Sequence, residues 1–403
     1  MKFKDLFDEA AYAVKWGEIA ALPEFSRLKS TPQSSVWHGE GSVWVHTVMV
    51  TDAMHAELSR AGIPEGSAEW TACMSAAICH DLGKGVTTRW SEEKEDWVTE
   101  RHGEAGERMV RSLFHDEEIR LRESVCYMVR QHMVLHHVYG APEKADMKME
   151  RLSHGAVPLR WMIMMYTADS IGSVNSEDEG YVRSMAERMT ADAERLGCLD
   201  EPYRGVPKSE LIRRFIGYKG YTDGNGDGFS VYIMCGFPGS GKSTYCGMYM
   251  NNLPAVSRDA IRGELGIGGA TPDNGKKTVG SKDEEARVSS VFDAEVEKHC
   301  KGRESFVIDN TSLRLCYRRD YLTKIMRYSP KVKIVYVEAP DIIGDCVERR
   351  KGEIAEGVYG RMMDGFDFPQ LFECDELVVV KQKEDAPDET YVFGGSMLAD
   401  YGI

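Results

Sequence analysis

The chain has 403 residues, 42% of them hydrophobic and 29% charged, and its formal net charge is −15. This composition is typical of a globular protein, and the length favours two domains over one. The negative charge argues against a protein that simply coats nucleic acid, so any nucleic acid must meet local basic residues.

Cysteine usage and hydropathy bear on the compartment. Ten cysteines occur without a C-x-x-C pair, which favours a reducing compartment and predicts neither a disulfide framework nor a zinc ribbon. Residues 1–7 alternate charged with apolar side chains, unlike a signal peptide. No apolar run approaches the length of a membrane span, and we therefore expect a cytoplasmic protein without membrane contact.

The first half is predicted to be helical, because its apolar residues recur with a period near 3.6 and no strand pattern precedes residue 200. The predicted helices are Trp44–Leu58, Trp70–His80, Glu104–Phe114, Glu118–Met133, Leu159–Ile171 and Gly180–Leu196. Residues 1–205 are therefore predicted to form an all-α domain.

Ten of the eleven histidines lie between His38 and His154, which makes this half a candidate metal domain. The candidate ligands are His46, His80, Asp81, His102, His132, His136 and Asp169. His132 and His136 are four apart on one predicted helix face, and His137 is the alternative to His136. Imidazole with carboxylate suits Mn²⁺, Fe²⁺, Co²⁺, Ni²⁺ or Zn²⁺.

Asp81 leads into a tight turn that holds Lys84. Two ions bridged by this carboxylate can bind a phosphate ester and activate water, and Lys84 can neutralise the developing charge. The alternative is a helical domain whose histidines have no chemical role.

The runs Val45–Val50, Cys79–Gly85 and Thr167–Asp169 resemble the HD phosphohydrolase superfamily, and especially the HD domain appended to bacterial tRNA nucleotidyltransferases. The resemblance implies hydrolysis of 2′-phosphates and 2′,3′-cyclic phosphates. That subgroup often has an arginine where this chain has Ser173. Either another base such as Arg183 serves, or the substrate preference differs.

Residues 206–228 are predicted to be a linker. Its end, Asp223–Gly228, looks like the start of a calcium loop, but Met234 stands where a bidentate glutamate is needed. A strand also follows where a helix belongs, and a Gly/Asp turn entering the first strand is the better interpretation.

The second half opens on a phosphate-loop motif, G-x-x-x-x-G-K-[ST], between an apolar run that predicts a buried strand and a segment able to form a helix. The predicted ATP-binding residues are Gly236, Gly239, Ser240, Gly241, Lys242, Ser243 and Thr244. Lys242 is expected to reach the β- and γ-phosphates, and Ser243 to hold Mg²⁺.

Strands and helices then alternate, which predicts an α/β domain with a parallel sheet over residues 229–403. The predicted strands are Val231–Cys235, Ala255–Val256, Ser305–Asp309, Lys331–Glu338 and Glu376–Lys381. The predicted helices are Asp259–Leu265, Asp283–Lys301, Leu313–Tyr328 and Ile342–Arg349. The segment Gly266–Lys282 is either a loop near the substrate or a linker, and Glu384–Glu389 is predicted to be a turn.

Four side chains beyond the phosphate loop are candidates for catalysis. Asp259 follows the second strand and can accept a proton from an attacking hydroxyl, while Arg262 can clamp a substrate phosphate. Asp309 ends the third strand, where a Mg²⁺ partner or a helix cap is the alternative to a substrate role. Arg349 can act in a lid over ATP, or can belong to an ordinary basic helix end.

These motifs resemble the kinase domain of phage and bacterial 5′-polynucleotide kinases over most of residues 229–370. The resemblance implies that Asp259 is the general base, that Arg262 holds the 3′ side of the terminal nucleotide, and that Asp309 lines the acceptor site. The family often spaces two lid arginines four apart, whereas Glu353 stands four after Arg349. Arg350 or Lys351 is the substitute.

The two halves in this order resemble the bifunctional HD-domain polynucleotide kinases. The resemblance implies ATP-dependent phosphorylation of 5′-OH RNA or DNA ends, and metal-dependent removal of 2′-, 3′- or 2′,3′-cyclic phosphates before a separate ligase acts. A metabolic nucleotidase fused to a nucleoside kinase is the alternative, and a nucleotide-binding regulator without turnover is a third. The residues that favour a polymer are Arg262, Lys276, Arg314, Arg318, Arg319, Lys324 and Arg327.

Overall fold

The structure is a computed structural model that describes residues 1–174, 178–220, 228–267, 280–338, 344–350, 354, 356–382 and 388–394. The described chain divides into two compact units, one holding Met1–Gly205 and the other beginning at Val206. Each unit is considered by itself.

Seven helices of at least two turns form the described part of the first unit. They are α1 (Val43–Arg60), α2 (Ala68–Cys79), α3 (His102–Leu113), α4 (Ile119–Gln131), α5 (Ala145–Ser153), α6 (Leu159–Ile171) and α7 (Glu179–Leu196). Shorter helical turns are Phe3–Leu6, Trp16–Ile19, Pro23–Ser26, Arg27–Lys29, Lys84–Thr87, Met133–His136 and Pro142–Lys144. The six predicted helices all occur here, with ends shifted by a few residues.

Local sequence explains where these helices begin. Ser42 and Ser67 accept hydrogen bonds from backbone N–H groups of the first turns of α1 and α2, which are typical N-caps. Helix α6 packs on α1 and α7, while α3 packs on α4. Their apolar faces share one core that includes Met54, Trp161 and Met165.

A short antiparallel hairpin, β1 (Thr88–Ser91) with β2 (Asp96–Thr99), interrupts the helices of the first unit. The sequence prediction of no strand before residue 200 was wrong at this place. Each strand has only four residues, and the charged turn between them hides the alternation that marks a longer strand.

The second unit contains the predicted α/β alternation. Its strands are β3 (Ser230–Cys235), β4 (Ala255–Val256), β5 (Phe306–Ile308), β6 (Lys331–Glu338), β7 (Glu376–Lys381) and β8 (Glu389–Phe393). Its helices are α8 (Lys208–Ile216), α9 (Lys242–Tyr249), α10 (Arg258–Glu264), α11 (Lys282–Lys301), α12 (Leu315–Ile325), α13 (Gly344–Arg349) and α14 (Glu356–Asp364). Helical turns occur at Met326–Tyr328 and Leu371–Glu373.

The six strands lie in the order β4-β5-β3-β6-β7-β8, and all neighbours are parallel except β7 and β8. Successive residues of β6 are buried, which means that both faces of the sheet are covered there. Strand β3 is central, and the phosphate loop follows it. The predicted fold class, a helical domain joined to an α/β domain with a mostly parallel sheet, is confirmed.

Three elements of this unit were not predicted. The expected linker contains α8, whose Leu211 and Ile212 are buried. Helix α14 and the antiparallel strand β8 were also missed. The predicted Gly/Asp turn, except for Gly228, and most of the Gly-rich segment with Lys276 lie outside the described residues, as do Lys351 and Glu353.

Candidate functional site

Separate helices bring the predicted metal ligands together. His46 lies on α1, His80 and Asp81 follow α2, His102 begins α3, and Asp169 lies near the end of α6. Gly83 is essential to this approach, because a Cβ there would collide with the backbone carbonyl of His102. A larger residue at that turn would push α3 away from Asp81.

The first group of ligands is His46, His80 and Asp81, whose candidate ligand atoms all lie within 4.8 Å of one another. The two histidine Nε2 atoms are 3.2 Å apart, and His46 Nε2 lies 3.0 Å from Asp169 Oδ1. Asp81 Oδ2 is 3.3 Å from His80 Nε2. Nitrogen and oxygen lone pairs thus converge on one point, as a bound cation requires.

The second group is Asp81, His102 and His132, also within 4.8 Å. The Nε2 atoms of the two histidines are 3.1 Å apart, and they lie 3.6 Å and 3.8 Å from Asp81 Oδ1. Asp81 therefore presents one oxygen to each group. The Lys84 ammonium lies 2.7 Å from Oδ2, whereas Oδ1 has no hydrogen bond among the described residues, and a carboxylate with one oxygen towards each group is placed to bridge two ions.

His136 closes the short helix Met133–His136, which follows α4 directly. The backbone is helical at His132 as well, so the two histidines stay four positions apart along helical backbone. His136 Nε2 lies 2.9 Å from Asp169 Oδ2, on the oxygen that faces away from His46. It is thus placed to orient Asp169, and His137 has no contact with either group in the described contacts.

The two groups differ in charge before any cation binds. Burial opposes protonation of His46, but hydrogen bonds to Asp169 and Glu40 raise its pKa to about 9. Burial lowers the pKa of His132 to about 3, helped by His102 and His80 nearby. Burial would raise the pKa of Asp81, but Lys84 and His80 hold that pKa well below its usual range.

Two residues near these groups were not predicted. Gln33 accepts a 2.9 Å hydrogen bond from Lys84 Nζ, which lies 2.7 Å from Asp81 Oδ2. Glu40 Oε1 lies 3.1 Å from His46 Nδ1 and 2.9 Å from His38 Nδ1. A carboxylate behind a ligating histidine fixes its ring orientation and tautomer. In the sequence, the one signal for Glu40 was its position two residues after His38.

Ser173, which stands where the related HD domains often have an arginine, makes polar contacts of a different kind. Ser173 Oγ donates to the carbonyl of Asp169 and lies 3.4 Å from His46 Nδ1. Arg183, suggested as its replacement, pairs with Glu57 and Glu179. It is therefore engaged elsewhere.

In the second unit, the phosphate loop and two acidic residues follow three neighbouring strands. The loop follows β3, Asp309 follows β5, and Asp259 lies just after β4. The carboxyl ends of parallel strands meet at one edge of the sheet, which is where α/β proteins bind ligands. Asp259 is close enough to Asp309 to oppose its ionisation.

The phosphate loop has the backbone that its glycines predict. Gly239 and Gly241 adopt φ values of +85° and +90°, which residues with a Cβ rarely reach. Lys242 is buried, and its Nζ donates to the carbonyls of Gly236 and Phe237 at 2.9 Å and 2.8 Å. When a phosphate enters the loop, the Lys242 ammonium must therefore exchange its hydrogen bonds to two backbone carbonyls for contacts with that phosphate.

Asp309 lies beside the residue expected to hold Mg²⁺. Ser243 Oγ donates to Asp309 Oδ2 over 3.4 Å. Burial raises the pKa of Asp309, whereas Lys242 and Ser243 lower it. Hydroxyl and carboxylate oxygens are the ligands that Mg²⁺ prefers, and this placement favours the Mg²⁺-partner alternative over a role only at the acceptor.

Arg262 is held by two carboxylates rather than standing free. Its Nη1 donates to Asp259 Oδ1 at 2.6 Å, while Nε and Nη2 donate to the two oxygens of Glu285 at 2.8 Å each. Glu285 lies on α11, and sequence reasoning missed it. The side chain of Asp259 is 83% exposed, so a substrate hydroxyl has access to it.

Arg349 lies against the phosphate loop. Its Nη1 donates to the carbonyl of Gly239 at 3.2 Å and to Gln382 Oε1 at 3.1 Å. The buried Tyr359 hydroxyl lies 3.1 Å from the carbonyl of Pro238 and 3.0 Å from that of Cys346, and it can donate to either, which holds α14 close to the loop and to α13. Arg349 is thus within reach of a nucleotide bound by Gly239.

The basic helix that was expected to favour a polymer is only partly available. Arg318 is fully buried in a two-pronged ion pair with Glu373, at 2.8 Å and 3.0 Å. Lys324 pairs with Asp293 and Asp320. The interpretation of Arg318 as a surface cation was wrong, because an amphipathic pattern does not reveal a buried acidic partner.

Comparison with known families supports this division of the chain. Residues 43–160 match the family model described as the HD domain. Residues 231–367 match the family model described as an AAA domain. The first match includes the histidines of both groups but ends before Asp169, and the second includes the phosphate loop, Asp259 and Asp309.

The two matches in one chain support a fusion of a phosphohydrolase domain with a P-loop kinase-like domain, and hence enzymatic activity on phosphate groups. HD domains bind divalent metals, which agrees with the His/Asp groups described above. In the described part of the chain, no helix has the length and apolarity needed to cross a bilayer.

Proposed function

We propose that the chain is a bifunctional enzyme that repairs nucleic-acid ends. The second unit phosphorylates 5′-OH ends with ATP, and the first unit hydrolyses 2′-, 3′- or 2′,3′-cyclic phosphate ends. One observation supports the proposal: the Asp259–Arg262 pair, a candidate base and phosphate clamp, follows a strand of the same sheet edge as the phosphate loop, in a chain that also holds the Asp81-centred groups.

In the first unit, His46, His80, Asp81 and Asp169 would hold one divalent ion, and Asp81, His102 and His132 a second. Such ions supply Lewis-acid activation of the phosphoester and of an attacking water. Lys84, next to Asp81, would neutralise charge on the phosphate. Glu40 and His136 would orient His46 and Asp169 through the contacts described above.

In the second unit, Asp259 would accept the proton of the 5′-hydroxyl as it attacks the γ-phosphate. Lys242, once released from the loop carbonyls, would contact the β- and γ-phosphates. Ser243 and Asp309 would hold the Mg²⁺ that accompanies ATP. Arg349 would add positive charge from the other side of Gly239.

Arg262 favours a nucleotide end over a free nucleoside. Only an acceptor with a 3′-phosphate offers an anion next to its 5′-hydroxyl, and Arg262 stands next to the proposed base. Glu285 already occupies two of its donors, so the clamp would use the remaining N–H groups or displace that carboxylate.

The alternative is a metabolic nucleotidase joined to a nucleoside kinase. The burial of Arg318 and the net charge of −15 favour it, because both weaken the case for a long polymer footprint. A regulator that binds nucleotides without turnover is the third candidate, and the arrangement of base, loop and Mg²⁺ ligands argues for chemistry over binding alone.

A direct test compares acceptors with labelled ATP and Mg²⁺. The acceptors are 5′-OH oligonucleotides of RNA and DNA, nucleoside 3′-monophosphates and free nucleosides. Transfer to oligonucleotides and 3′-monophosphates but not to nucleosides supports end repair. Equal or preferred transfer to nucleosides favours the metabolic alternative, and no transfer to any acceptor favours the regulator.

A further inference from the structure

The hairpin of the first unit exposes a pair of tryptophans. Trp90 of β1 and Trp97 of β2 are directly opposite each other, and their rings meet edge to face with centroids 5.5 Å apart. They are 45% and 37% exposed. A directly opposed aromatic pair stabilises a hairpin, and the part of the two rings that stays in water is also a surface on which a flat ring can stack.

The hairpin is fixed next to the proposed metal ligands. It begins at Thr88, directly after the helical turn that starts at Lys84, and Lys84 contacts Asp81. Along one helical turn and half a strand, Trp90 lies at most about 15 Å from Lys84. The base of a nucleotide whose phosphate is at Asp81 would lie within this range.

A neighbouring loop ties this arrangement together. The segment between Pro32 and Ser42, which we call the front loop, closes on itself through a bridge between those two residues. Ser34 Oγ donates to Asp96 of the hairpin, and Gln33 accepts from Lys84. The front loop therefore contacts both the hairpin and the catalytic lysine.

The front loop also contributes a third exposed tryptophan. Trp37 is 68% exposed, although the residues that follow it are held in place. Glu40 bonds to His38 and lies against His46, and the N–H of Gly39 donates to the carbonyl of Val174. The exposed indole of Trp37 thus lies three positions before Glu40, which contacts the proposed metal ligand His46.

Charge on the hairpin decides what can occupy this surface. Its turn carries Glu92, Glu93 and Glu95 with a single lysine, Lys94, all exposed, so its net charge is negative and repels a phosphodiester backbone. An uncharged planar ring meets no such penalty and gains from stacking on indole. The surface suits one nucleobase rather than a length of strand.

We propose that Trp37 and the Trp90–Trp97 pair bind the nucleobase of the terminal nucleotide whose phosphate is hydrolysed at the Asp81-centred groups. This inference rests on the proposed phosphohydrolase function of the first unit. It makes the first unit selective for phosphoesters that carry a base, and it limits recognition to a single nucleotide.

The test uses the full chain, loaded with Mn²⁺, and two substrates that differ only in the base. One is a nucleoside 2′,3′-cyclic phosphate, and the other is 1-O-methylribose 2′,3′-cyclic phosphate. The variants are Trp37→Ala, Trp90→Ala and Trp97→Ala, with Trp90→Phe as the conservative change. Tyr181→Ala is the matched control, because Tyr181 is 49% exposed on α7.

The alanine variants are expected to raise KM for the nucleoside substrate by about 5- to 100-fold, which is the range of one stacking contact. Their kcat/KM for the base-free substrate should be unchanged, and Trp90→Phe should recover most of the loss. The wild type should act equally on a mononucleotide end and on a 20-mer end. Tyr181→Ala should match the wild type on both substrates.

Three results would overturn the inference. If the wild type hydrolyses both substrates equally and the variants change neither, the tryptophans do not recognise a base, while the proposed phosphohydrolase stands. If the variants lose both substrates equally, the hairpin supports the fold only. If they convert a dimer into a monomer in gel filtration without affecting KM, the occupant is a second copy of the chain. No hydrolysis of either substrate by the wild type would instead remove the proposed phosphohydrolase itself.

Discussion

Glu285 holds the guanidinium of Arg262 through two hydrogen bonds of 2.8 Å, although the two residues lie on different helices and 23 positions apart. The third contact of Arg262 is with Asp259, at 2.6 Å. The proposed base Asp259 and the proposed clamp Arg262 are therefore joined in one ion-pair network, and a substitution of Glu285 is expected to affect both residues.

Arg262→Ala is expected to weaken use of the acceptor but not of ATP, because Arg262 lies outside the phosphate loop. A charge-assisted contact contributes about 1.5–3 kcal/mol, which corresponds to a loss of roughly 10- to 100-fold in kcat/KM. The loss should be larger for acceptors with a 3′-phosphate than for acceptors without one. Steady-state kinetics with both acceptors measures this.

The control for that prediction is Arg287→Ala, which removes an exposed arginine from the same helix as Glu285. Glu285→Gln should raise the acceptor KM less than Arg262→Ala does, since it keeps one hydrogen bond and only loosens the guanidinium. Equal losses on acceptors with and without the 3′-phosphate would contradict a clamp.

The two activities should separate by mutation. Asp259→Ala removes the proposed base and should abolish phosphorylation of 5′-OH ends while phosphoester hydrolysis persists, and Lys242→Ala should behave alike. Asp81→Ala should do the reverse. The measurement is both assays on each folded variant, with circular dichroism as the control. Loss of both activities in Asp259→Ala would argue against two independent sites.

The first unit should need a transition metal, whereas the kinase should need only Mg²⁺. Histidine nitrogens dominate the first unit, and they bind Mn²⁺, Co²⁺ or Ni²⁺ better than Mg²⁺. After treatment with a chelator, Mg²⁺ alone should restore phosphorylation, and hydrolysis should return only with a transition metal. Full hydrolysis in Mg²⁺ alone would show that the histidines were misinterpreted.

Within the first unit, Asp81→Ala should be more damaging than His102→Ala, because Asp81 faces both ligand groups and His102 only one. Metal content after dialysis, measured by mass spectrometry, should fall by both ions in the first variant and by one in the second. An Asp81→Ala protein that keeps its full metal content would rule out the bridging role.

Glu40→Gln tests the contact behind His46. Because Glu40 lies 3.1 Å from His46 Nδ1, loss of its charge should lower metal affinity by about 10- to 100-fold without removing a ligand. Competition with a chromophoric chelator measures the affinity. Glu65→Gln, which affects a glutamate that pairs with the exposed His55, is the control and should have no effect.

Arg318→Ala should destabilise the second unit rather than weaken nucleic-acid binding. It leaves Glu373 charged and fully buried, which typically costs about 3–5 kcal/mol. Arg319→Ala, one position along on the helix, should cost much less. Urea unfolding compares the two, and a stable Arg318→Ala protein that binds oligonucleotides poorly would restore the sequence-based interpretation.

The sequence predicted the fold class because it depends on local patterns, and the same patterns located the candidate site residues. Helical periodicity located α1 and α6, and the spacing of Lys242 and Ser243 located the phosphate loop. Glu285 and Gln33 could not be found in this way, since each bonds to a partner far away in sequence. Spacing put His132 and His136 one helical turn apart, but it could not show that His132 lies near Asp81 while His136 contacts Asp169.

The ligands of the two groups in the first unit come from positions spread between His46 and Asp169. Bound ions would therefore act as cross-links that join five helices or their ends, and the free energy of metal binding would become free energy of folding. The first unit would then be as stable as its metal supply allows. In a cell short of transition metals, such a protein would keep the activity of its second unit while it lost that of its first.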